Sequence, residues 1–494
     1  MPTITLQHAE PPLILTIDIG TSSTRVLLFD ARGHAVEGVL AQEKAAITVG
    51  NDGTAEDDPD ESIARLGRCV DAALQQAGKL ADQIGSVAVD TLASSIMAVD
   101  SAGSPLTPLL LYADTRNADD AATLQRMLNE RDVHERTGCM LRTSYWPARL
   151  AWFRRTQPDV WRQAARWITI GEYLEQCLFG QSRVSYSIAS WSGLLNRQTL
   201  AWDQPLLDVI GVTTQQLAPL VDLDQPLRGL RGAYAQRWPA LRDVPWFPAL
   251  GDGAAANIGS GAVGASRAAL TVGTTGAVRL VLPRVDRVPE GLWCYRVDKN
   301  RALLGGATSE GGNVYGWIRS MAQLGEKERI EPQLAAMQPD GHGLTVLPFW
   351  AGERSPGWAG DVRATITGLS LSTTPLEILR ASLEAVAYRF AIILDRLPRA
   401  ENRQLVASGG GLLSSPAWMQ IMADVLGLPV IASEEPEATS RGTALLALEA
   451  LGQIASVEQL PGDDGVVFQP NVQYHDVYRA AVERQQALYQ KLIG

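Results

Sequence analysis

Two stretches of the chain combine apolar, strand-like positions with a short polar turn. The first, LTIDIGTSSTRVLLFD (15–30), predicts a strand, a tight turn and a second strand. The second, ALTVGTTGAVRLVL (269–282), has the same order, and its turn Gly273-Thr274-Thr275 corresponds to Gly20-Thr21-Ser22. Two small polar hairpins can be alike by chance. Because each stands near the start of one half of the chain, we favour one device used twice, on two sheets that face a common ligand.

The remaining pattern mixes helices with strands. DESIARLGRCVDAALQQAG (60–78) has helical spacing, SVAVD (86–90) predicts a buried strand, and 114–180 is mostly helical. Small residues dominate WFPALGDGAAANIGSGAVG (246–264), which predicts a domain boundary near 245–250. The fold class is therefore α/β.

Length, charge and cysteine usage narrow the class of protein. A chain of 494 residues should divide into at least two domains, and its net charge of -11 argues against binding nucleic acid through phosphates. Neither a signal peptide nor an apolar run of membrane-spanning length is evident, so we expect a soluble, cytoplasmic protein with no membrane partner. No C-x-x-C pair suggests zinc or a disulfide framework among the four cysteines, which are Cys69, Cys139, Cys177 and Cys294.

The hydroxyl-rich turns predict an anion site. Backbone N–H groups and hydroxyls of the Gly-Thr-Ser turn can hold a triphosphate, while Asp18, at the end of the first strand, can supply an oxygen ligand for Mg²⁺. The second hairpin has Thr271 at that position, which fits because one metal needs only one such carboxylate.

Asp252 stands between two glycines in LGDGAAANIGSG, at the edge of the inferred cleft. Its small neighbours would let a substrate approach closely, which suits a general base that accepts a hydroxyl proton in phosphoryl transfer. From these residues alone the favoured alternative is that Asp252 caps the AAAN helix that follows, which is a common role for Asp. Both interpretations can hold, because a helix N-terminus favours the charged carboxylate.

The stretch VASGGGLLSSPAWMQIMADVLGLPV (406–430) predicts a strand, three glycines and a helix that begins at Pro416. Consecutive glycines suggest that a flat ring or a phosphate lies against bare backbone, although a flexible loop is the alternative. No lysine lies in the G-K-[ST] context of a Walker A motif, so phosphate chemistry would not be of the P-loop kind.

Taken in order, these motifs resemble those of the FGGY family of carbohydrate kinases, within the actin-like, ribonuclease-H-like ATPases. IDIGTSSTR and TVGTTGAV are similar to its two phosphate motifs, LGDGAAANIGSG to its catalytic Asp motif and SGGGLLSSPAWMQIMADVLGLPV to its adenosine motif. GTAEDDPDE (53–61), LLLYADTRNADDA and TGCMLRTSYWPARLAW resemble further family segments, with Tyr112 and Arg149 replacing the usual Trp and Lys.

The resemblance implies ATP-dependent, Mg²⁺-assisted phosphorylation of a hydroxyl on a sugar, polyol or sugar acid. It implies two actin-like (ribonuclease-H-like) domains facing across a cleft, 1–247 with the first hairpin and most of the sugar site, and 248–494 with the second hairpin and the adenosine site. Asp252 would be the general base and Asp18 the metal residue. The implied ATP-binding residues are Gly20, Thr21, Ser22, Ser23, Arg25, Gly273, Thr274, Thr275, Gly409, Gly410, Gly411 and Ser414.

The sugar site departs from the better-known branches. Ala93-Ser94-Ser95 stands where the xylulose branch carries Met-His-Gly and the glycerol branch Arg-Glu. GGATSEGGNVYGWIR (305–319) looks most like the gluconate-kinase-like branch, so gluconate is the best guess and a ketopentose such as xylulose or ribulose the alternative. Arg149 could pair with an acid or serve packing. The implied sugar-binding residues are Ser94, Ser95, Tyr145, Arg149, Glu310 and Asn313.

An actin-like or chaperone-like ATPase without a sugar substrate remains a competing class, because such proteins share the two phosphate hairpins. Asp252 and the sugar-side segments favour the kinase. A silent sugar sensor is disfavoured because Asp18 and Asp252 are both present. A homodimer is left open.

Overall fold

The computed structural model describes residues 3–460 and 465–494 and contains two α/β units, each built on a mixed β-sheet. The strands are β1 (Thr3–Ile4), β2 (Leu13–Ile19), β3 (Ser23–Phe29), β4 (Ala35–Lys44), β5 (Thr48–Val49), β6 (Ala55–Asp57), β7 (Ile84–Thr91), β8 (Met97–Val99), β9 (Leu109–Leu110), β10 (Arg166–Ile168), β11 (Val184–Ser185), β12 (Leu195–Asn196), β13 (Ala201–Trp202), β14 (Leu220–Val221), β15 (Leu250–Gly251), β16 (Arg267–Val272), β17 (Gly276–Leu282), β18 (Trp293–Arg296), β19 (Ala302–Thr308), β20 (Thr345–Leu347), β21 (Thr365–Thr367), β22 (Gln404–Ser408), β23 (Val430–Ala432) and β24 (Val467–Phe468). The α-helices are α1 (Pro59–Ala77), α2 (Ala118–Met127), α3 (Glu130–Thr137), α4 (Trp146–Thr156), α5 (Pro158–Gln163), α6 (Ile170–Phe179), α7 (Tyr186–Trp191), α8 (Gln204–Ile210), α9 (Gly232–Arg237), α10 (Asp252–Gly259), α11 (Gly312–Met321), α12 (Lys327–Ala336), α13 (Pro375–Leu394), α14 (Gly410–Leu413), α15 (Pro416–Leu426), α16 (Ala438–Ala450) and α17 (Val472–Leu492).

The two sheets repeat one topology. The sheet of the N-terminal unit has the order β1-β4-β3-β2-β7-β15, with β4, β3 and β2 antiparallel and β2, β7 and β15 parallel. The sheet of the C-terminal unit has the order β18-β19-β17-β16-β22-β23-β24, with β19, β17 and β16 antiparallel and β16, β22 and β23 parallel. Both hairpins therefore occupy equivalent positions, which confirms the predicted repeat and the α/β, actin-like fold.

Helix ends follow local sequence signals. Asp58 caps α1 by accepting hydrogen bonds from the amides of Asp60 and Glu61, and Pro59 takes the first turn, where no N–H is needed. Ser415 caps α15 through the Trp418 amide. The helices predicted over 60–78 and from Pro416 onward are thus confirmed.

Helices α10 and α16 lie between the two sheets. They pack against each other, and α16 also contacts β2 and β7 of the N-terminal unit. Buried residues from both units form one apolar cluster here, including Ile14, Ala254, Ile258, Leu445 and Trp293. This crossing sets how the two units face each other. In the part of the chain that the structure describes, no helix is long and apolar enough to cross a membrane.

Candidate functional site

One cavity of about 570 Å³ lies between the two units and receives residues from both. Its lining includes Thr21 and Thr275, one from each hairpin turn, together with Asp252. Aromatic and hydroxyl side chains line one end, and glycines and small residues the other. The first group contains Ser94, Tyr112, Ser144, Tyr145, Trp191, Trp293 and Tyr295, and the second contains Gly409, Gly410, Leu413, Pro436, Ala438 and Thr439.

In each hairpin turn, the amide of the leading glycine donates a backbone hydrogen bond within the turn, to the third residue beyond it in the first hairpin and to the second in the other. The Gly20 amide donates to the Ser23 carbonyl at 3.0 Å, and the Gly273 amide donates to the Thr275 carbonyl at 2.9 Å. The threonines that follow these glycines are not fully buried. Thr21 and Thr275 line the cavity, so each turn contributes one threonine to the space between the units.

The three consecutive glycines serve two purposes. A Cβ atom on Gly411 would lie 2.7 Å from the Gly273 carbonyl, and one on Gly409, whose φ is +92°, would lie 2.6 Å from the Val272 carbonyl. These two glycines let the loop pack against the second hairpin. A Cβ atom on Gly410 would meet nothing within 4 Å, and Gly410 lines the cavity, so its backbone is open to a ligand.

Asp252 is the first residue of α10 and follows β15 directly. Its Oδ1 accepts a hydrogen bond of 2.7 Å from the Gly253 amide, and the residue lines the cavity. The interpretation of Asp252 as the helix cap is wrong, because Gly251 occupies the N-cap position and Asp252 lies in the first turn, where the helix N-terminus still favours its charge. Burial raises the pKa of Asp252, and the Gly253 hydrogen bond and the positive charge of Arg279 oppose that rise. The Trp191 ring packs against both neighbouring glycines: a Cβ atom on Gly251 would lie 2.7 Å from Trp191 Nε1, and one on Gly253 would make a tight contact of 3.1 Å with the ring.

Asp18 and Asp90 are paired in register on β2 and β7. Burial raises the pKa of Asp18 to about 6, although a hydrogen bond to Asp90 opposes the rise. Burial also raises the pKa of Asp90, whose Oδ2 accepts a 2.7 Å hydrogen bond from Thr443 on α16. Asp90 Oδ1 is buried and has no hydrogen-bond partner within the described chain. Carboxylate oxygens short of donors suit a hard divalent cation.

An ion pair close enough to Asp18 to affect its pKa also links the two units. Arg25 on β3 forms a 2.9 Å ion pair with Glu437, which immediately precedes α16. The negative charge of Glu437 contributes to the raised pKa of Asp18, and that of Arg25 opposes it. The first hairpin is thus connected electrostatically to the far unit.

The aromatic end of the cavity is a stack of three rings. Trp191 stacks on Tyr295 with 3.7 Å between ring centroids, and Tyr295 stacks on Trp293 with 4.6 Å. The Tyr145 and Tyr295 hydroxyls are 2.6 Å apart, and Ser94 Oγ donates to the Trp191 carbonyl at 2.7 Å. Arg279 and Arg354 also line the cavity, so flat apolar faces and cationic groups occur together.

Models of the N-terminal and C-terminal domains of the FGGY family of carbohydrate kinases match residues 13–259 and 268–451. The chain belongs to the FGGY family of carbohydrate kinases. The resemblance drawn from the motifs is confirmed, and the kinase is favoured over a chaperone-like ATPase.

Within the FGGY family, the chain is similar to proteins of different names. It is 29% identical over 461 residues to a gluconokinase of Bacillus licheniformis, covering 90% of this chain and 89% of that protein. It is 25% identical over 491 residues to a xylulose kinase of Staphylococcus epidermidis, covering 97% of both. The crystal structure of a ligand-bound xylulose kinase from Lactobacillus acidophilus has the same fold, with a TM-score of 0.89 and 24% identity over 97% of this chain and 98% of that one.

Seven of the FGGY residues predicted from sequence line the cavity, namely Thr21, Ser94, Tyr145, Asp252, Thr275, Gly409 and Gly410. The remaining hairpin and glycine-loop residues, which are Asp18, Gly20, Ser22, Ser23, Arg25, Gly273, Thr274, Gly411 and Ser414, lie beside it without being part of its lining. Ser414 Oγ donates to the Gly410 carbonyl at 2.5 Å, so it supports the glycine loop.

Four predicted sugar residues lie outside the cavity lining. Arg149 is 1% exposed, and its guanidinium donates to the carbonyls of Ser94, Leu111 and Thr143. Ser95 is fully buried. Glu310 accepts from the Ala351 amide at 2.9 Å, and Asn313 accepts from the Gly311 amide at 2.7 Å, close to the start of α11. The hydrogen bonds of Arg149, Glu310 and Asn313 are therefore made to backbone groups of the protein.

Sequence reasoning did not select the cavity residues Trp191, Trp293, Tyr295, Arg279 and Arg354. The alternation in GLWCYR was an available signal, because successive side chains of a strand point to opposite faces and would place Trp293 and Tyr295 together. Arg354 lies on a loop and carried no comparable pattern.

Proposed function

We propose that this protein transfers the γ-phosphoryl group of ATP to a hydroxyl of a sugar acid, with gluconate as the best guess. The observation that carries the proposal is that Asp252 shares one cavity with turns from both phosphate hairpins. Such an arrangement brings a carboxylate base, a phosphate cradle and an aromatic sugar platform into one space.

Asp252 acts as the general base. It accepts the proton of the substrate hydroxyl while the hydroxyl oxygen bonds to the γ-phosphorus and the bond from that phosphorus to the bridging oxygen of ADP breaks. The products are ADP, the sugar phosphate and the proton. The Gly253 amide and the Arg279 charge, both of which lower the pKa of Asp252, favour the ionised carboxylate that this step needs.

The two hairpins hold the phosphates and the glycine loop holds the adenosine. Thr21, Ser22, Thr274 and Thr275 supply hydroxyl donors, and the Gly20, Ser23, Arg25 and Gly273 backbone or side chains complete the cradle. Gly409, Gly410, Gly411 and Ser414 form the adenosine side, where Gly410 is open to a flat ring.

Mg²⁺ is the cofactor that best fits the acidic group beside the hairpin. Asp18 would hold it, directly or through water, with the buried Asp90 behind it. When bound, the ion neutralises charge on the phosphates during transfer.

The choice of gluconate is supported by the similarity to a gluconokinase and by the cationic side chains at the aromatic end. A ketopentose is the second candidate, since a protein named xylulose kinase is similar over nearly the whole chain. Ser94 and Tyr145 contact the sugar in either case.

A coupled ADP-release assay with gluconate, xylulose, ribulose and glycerol tests the proposal, with mass spectrometry of the phosphorylated product. We expect turnover with gluconate that far exceeds turnover with ATP alone. ADP release unaffected by every sugar and sugar acid would contradict a kinase, whereas turnover confined to ketopentoses would move the assignment to the second candidate.

A further inference from the structure

We propose that Arg354, assisted by Arg279, binds the carboxylate of the substrate and thereby selects a sugar acid over a neutral sugar of the same length. The inference rests on the proposed kinase function and assigns the substrate class to two side chains that the sequence motifs did not single out.

Within the described residues, the guanidinium of Arg354 has no ion-pair partner. Its side chain lines the cavity at half-buried exposure, and among residues 3–460 and 465–494 it makes no hydrogen bond or ion pair. Arg142, whose guanidinium lies over the Trp358 ring, by contrast pairs with Glu130 at 2.5 Å. Partly buried charges in proteins are usually paired, so a guanidinium left open beside aromatic rings is a natural receptor for a planar carboxylate.

The loop that carries Arg354 is anchored on both sides of it. The Ser355 amide donates to the Ala307 carbonyl at 2.9 Å, and the Glu353 amide donates to the Ala359 carbonyl at 2.9 Å. Trp358 Nε1 donates to the Gly291 carbonyl at 2.8 Å. Since the backbone is fixed before a ligand arrives, little ordering free energy is lost when the carboxylate binds.

The loop also packs tightly against the strand region in front of β18. Gly291 has φ of +76°, and a Cβ atom there would lie 2.0 Å from the Pro356 carbonyl oxygen. Only glycine permits this approach. Arg354 is therefore held against the same wall that carries Trp293 and Tyr295.

Arg279 lines the same cavity as Asp252 and Tyr295, and both groups act electrostatically on it. Its Nη1 donates to Thr271 Oγ1 at 3.3 Å, while its buried Nε lacks a hydrogen-bond partner in the described part of the chain. Burial lowers the pKa of Arg279, the charge of Asp252 raises it, and the charge of Arg354 lowers it, which places all three groups within electrostatic reach.

Charge balance favours a monoanion at this end. Asp252 offsets one of the two guanidinium charges, which leaves one positive charge for the ligand to neutralise. An aldonate supplies one carboxylate, whereas a ketopentose supplies none and leaves the cation desolvated without compensation. Bidentate contact between a guanidinium and the carboxylate would also fix the end of the substrate that is not phosphorylated.

The test compares gluconate with gluconamide, which has nearly the same size and no charge, in wild type and in Arg354→Gln. We expect Arg354→Gln to lower kcat/KM for gluconate by about 10- to 100-fold, mainly through KM, and to change kcat/KM for gluconamide little. Arg354→Lys should recover part of the loss. Arg396→Gln, at an exposed arginine outside the cavity lining, is the matched control.

Equal losses for gluconate and gluconamide would overturn the inference, because a structural role does not distinguish them. Turnover of ketopentoses but not of gluconate would also overturn it while leaving the kinase intact. Calorimetry of gluconate binding without nucleotide gives a readout independent of turnover: equal affinity of wild type and Arg354→Gln would contradict the carboxylate contact even if no sugar were phosphorylated.

Discussion

Gly259 on α10 lies against the backbone of α16, and Gly442 on α16 lies against the backbone of α10, where these helices cross between the two units. A Cβ atom on Gly259 would lie 1.8 Å from the Ala438 carbonyl oxygen, and one on Gly442 would lie 1.8 Å from the Ala255 carbonyl oxygen. The contact is reciprocal, as expected from two units with one topology. Because the obstructing atoms are backbone, no rotamer change can relieve either clash.

Gly442→Ala should therefore force the two helices apart. We expect a loss of about 1–3 kcal/mol in the free energy of unfolding, measured by urea denaturation, together with lower activity because Asp252 begins α10. Gly316→Ala on α11 is the control, since a Cβ atom there meets nothing within 4 Å. That variant should be neutral or up to about 1 kcal/mol more stable. Equal stability of the two variants would contradict the packing argument.

Asp252→Asn tests the general base. The amide keeps the size of the side chain and cannot accept the proton, so kcat should fall by about 10²- to 10⁴-fold while the affinity for ADP changes little. Coupled ADP release and calorimetry measure the two quantities. Asp243→Asn, at a 70% exposed side chain, should match wild type. Turnover near the wild-type level in Asp252→Asn would refute the role.

Asp18→Asn tests the metal site. Removing one carboxylate charge weakens binding of a divalent cation, so the Mg²⁺ concentration for half-maximal activity should rise by about 10-fold or more. Titration of activity with MgCl₂ at saturating ATP measures this concentration, and EDTA should abolish activity in wild type. Asp159→Asn, which is 78% exposed, serves as the control. An unchanged Mg²⁺ requirement would exclude Asp18 from the site.

Glu310→Gln should remove a pH-dependent loss of stability that wild type shows as the pH rises. Burial raises the pKa of Glu310 to about 7 from the usual 4.5, so the native state binds this proton more tightly than the unfolded state. The stability contribution is present below about pH 4.5 and is lost as the pH rises to about 7. Between pH 5 and pH 8, the free energy of unfolding of Glu310→Gln relative to wild type should rise by about 2–3 kcal/mol.

Urea denaturation at both pH values measures this difference. Glu290→Gln, whose side chain is 83% exposed, should give the same offset from wild type at pH 5 and pH 8. A constant offset for Glu310→Gln as well would mean that Glu310 remains ionised throughout this range.

Local pattern was sufficient to predict the hairpins, α1, α15 and the position of Asp252, because strand alternation, capping residues and proline placement act within a few residues. The sequence could not determine what surrounds a long polar side chain. Arg149 carries a guanidinium that could bind an acid, yet that guanidinium already donates hydrogen bonds to backbone carbonyls from three segments. Arg354 had no motif at all, and only the folded loop brings it beside Tyr295 and Arg279.

The ring stack of Trp191, Tyr295 and Trp293 gives the cavity its own optical reporter. The chain has 13 tryptophans, and within the described residues Trp191 and Trp293 are the ones that line this space. Trp191 is the partly exposed indole of the two, so a ligand seated on it removes water from that ring and alters its emission. Ligand occupancy can thus be followed by intrinsic fluorescence, with no label and no turnover, and Trp191→Phe identifies the emitting ring.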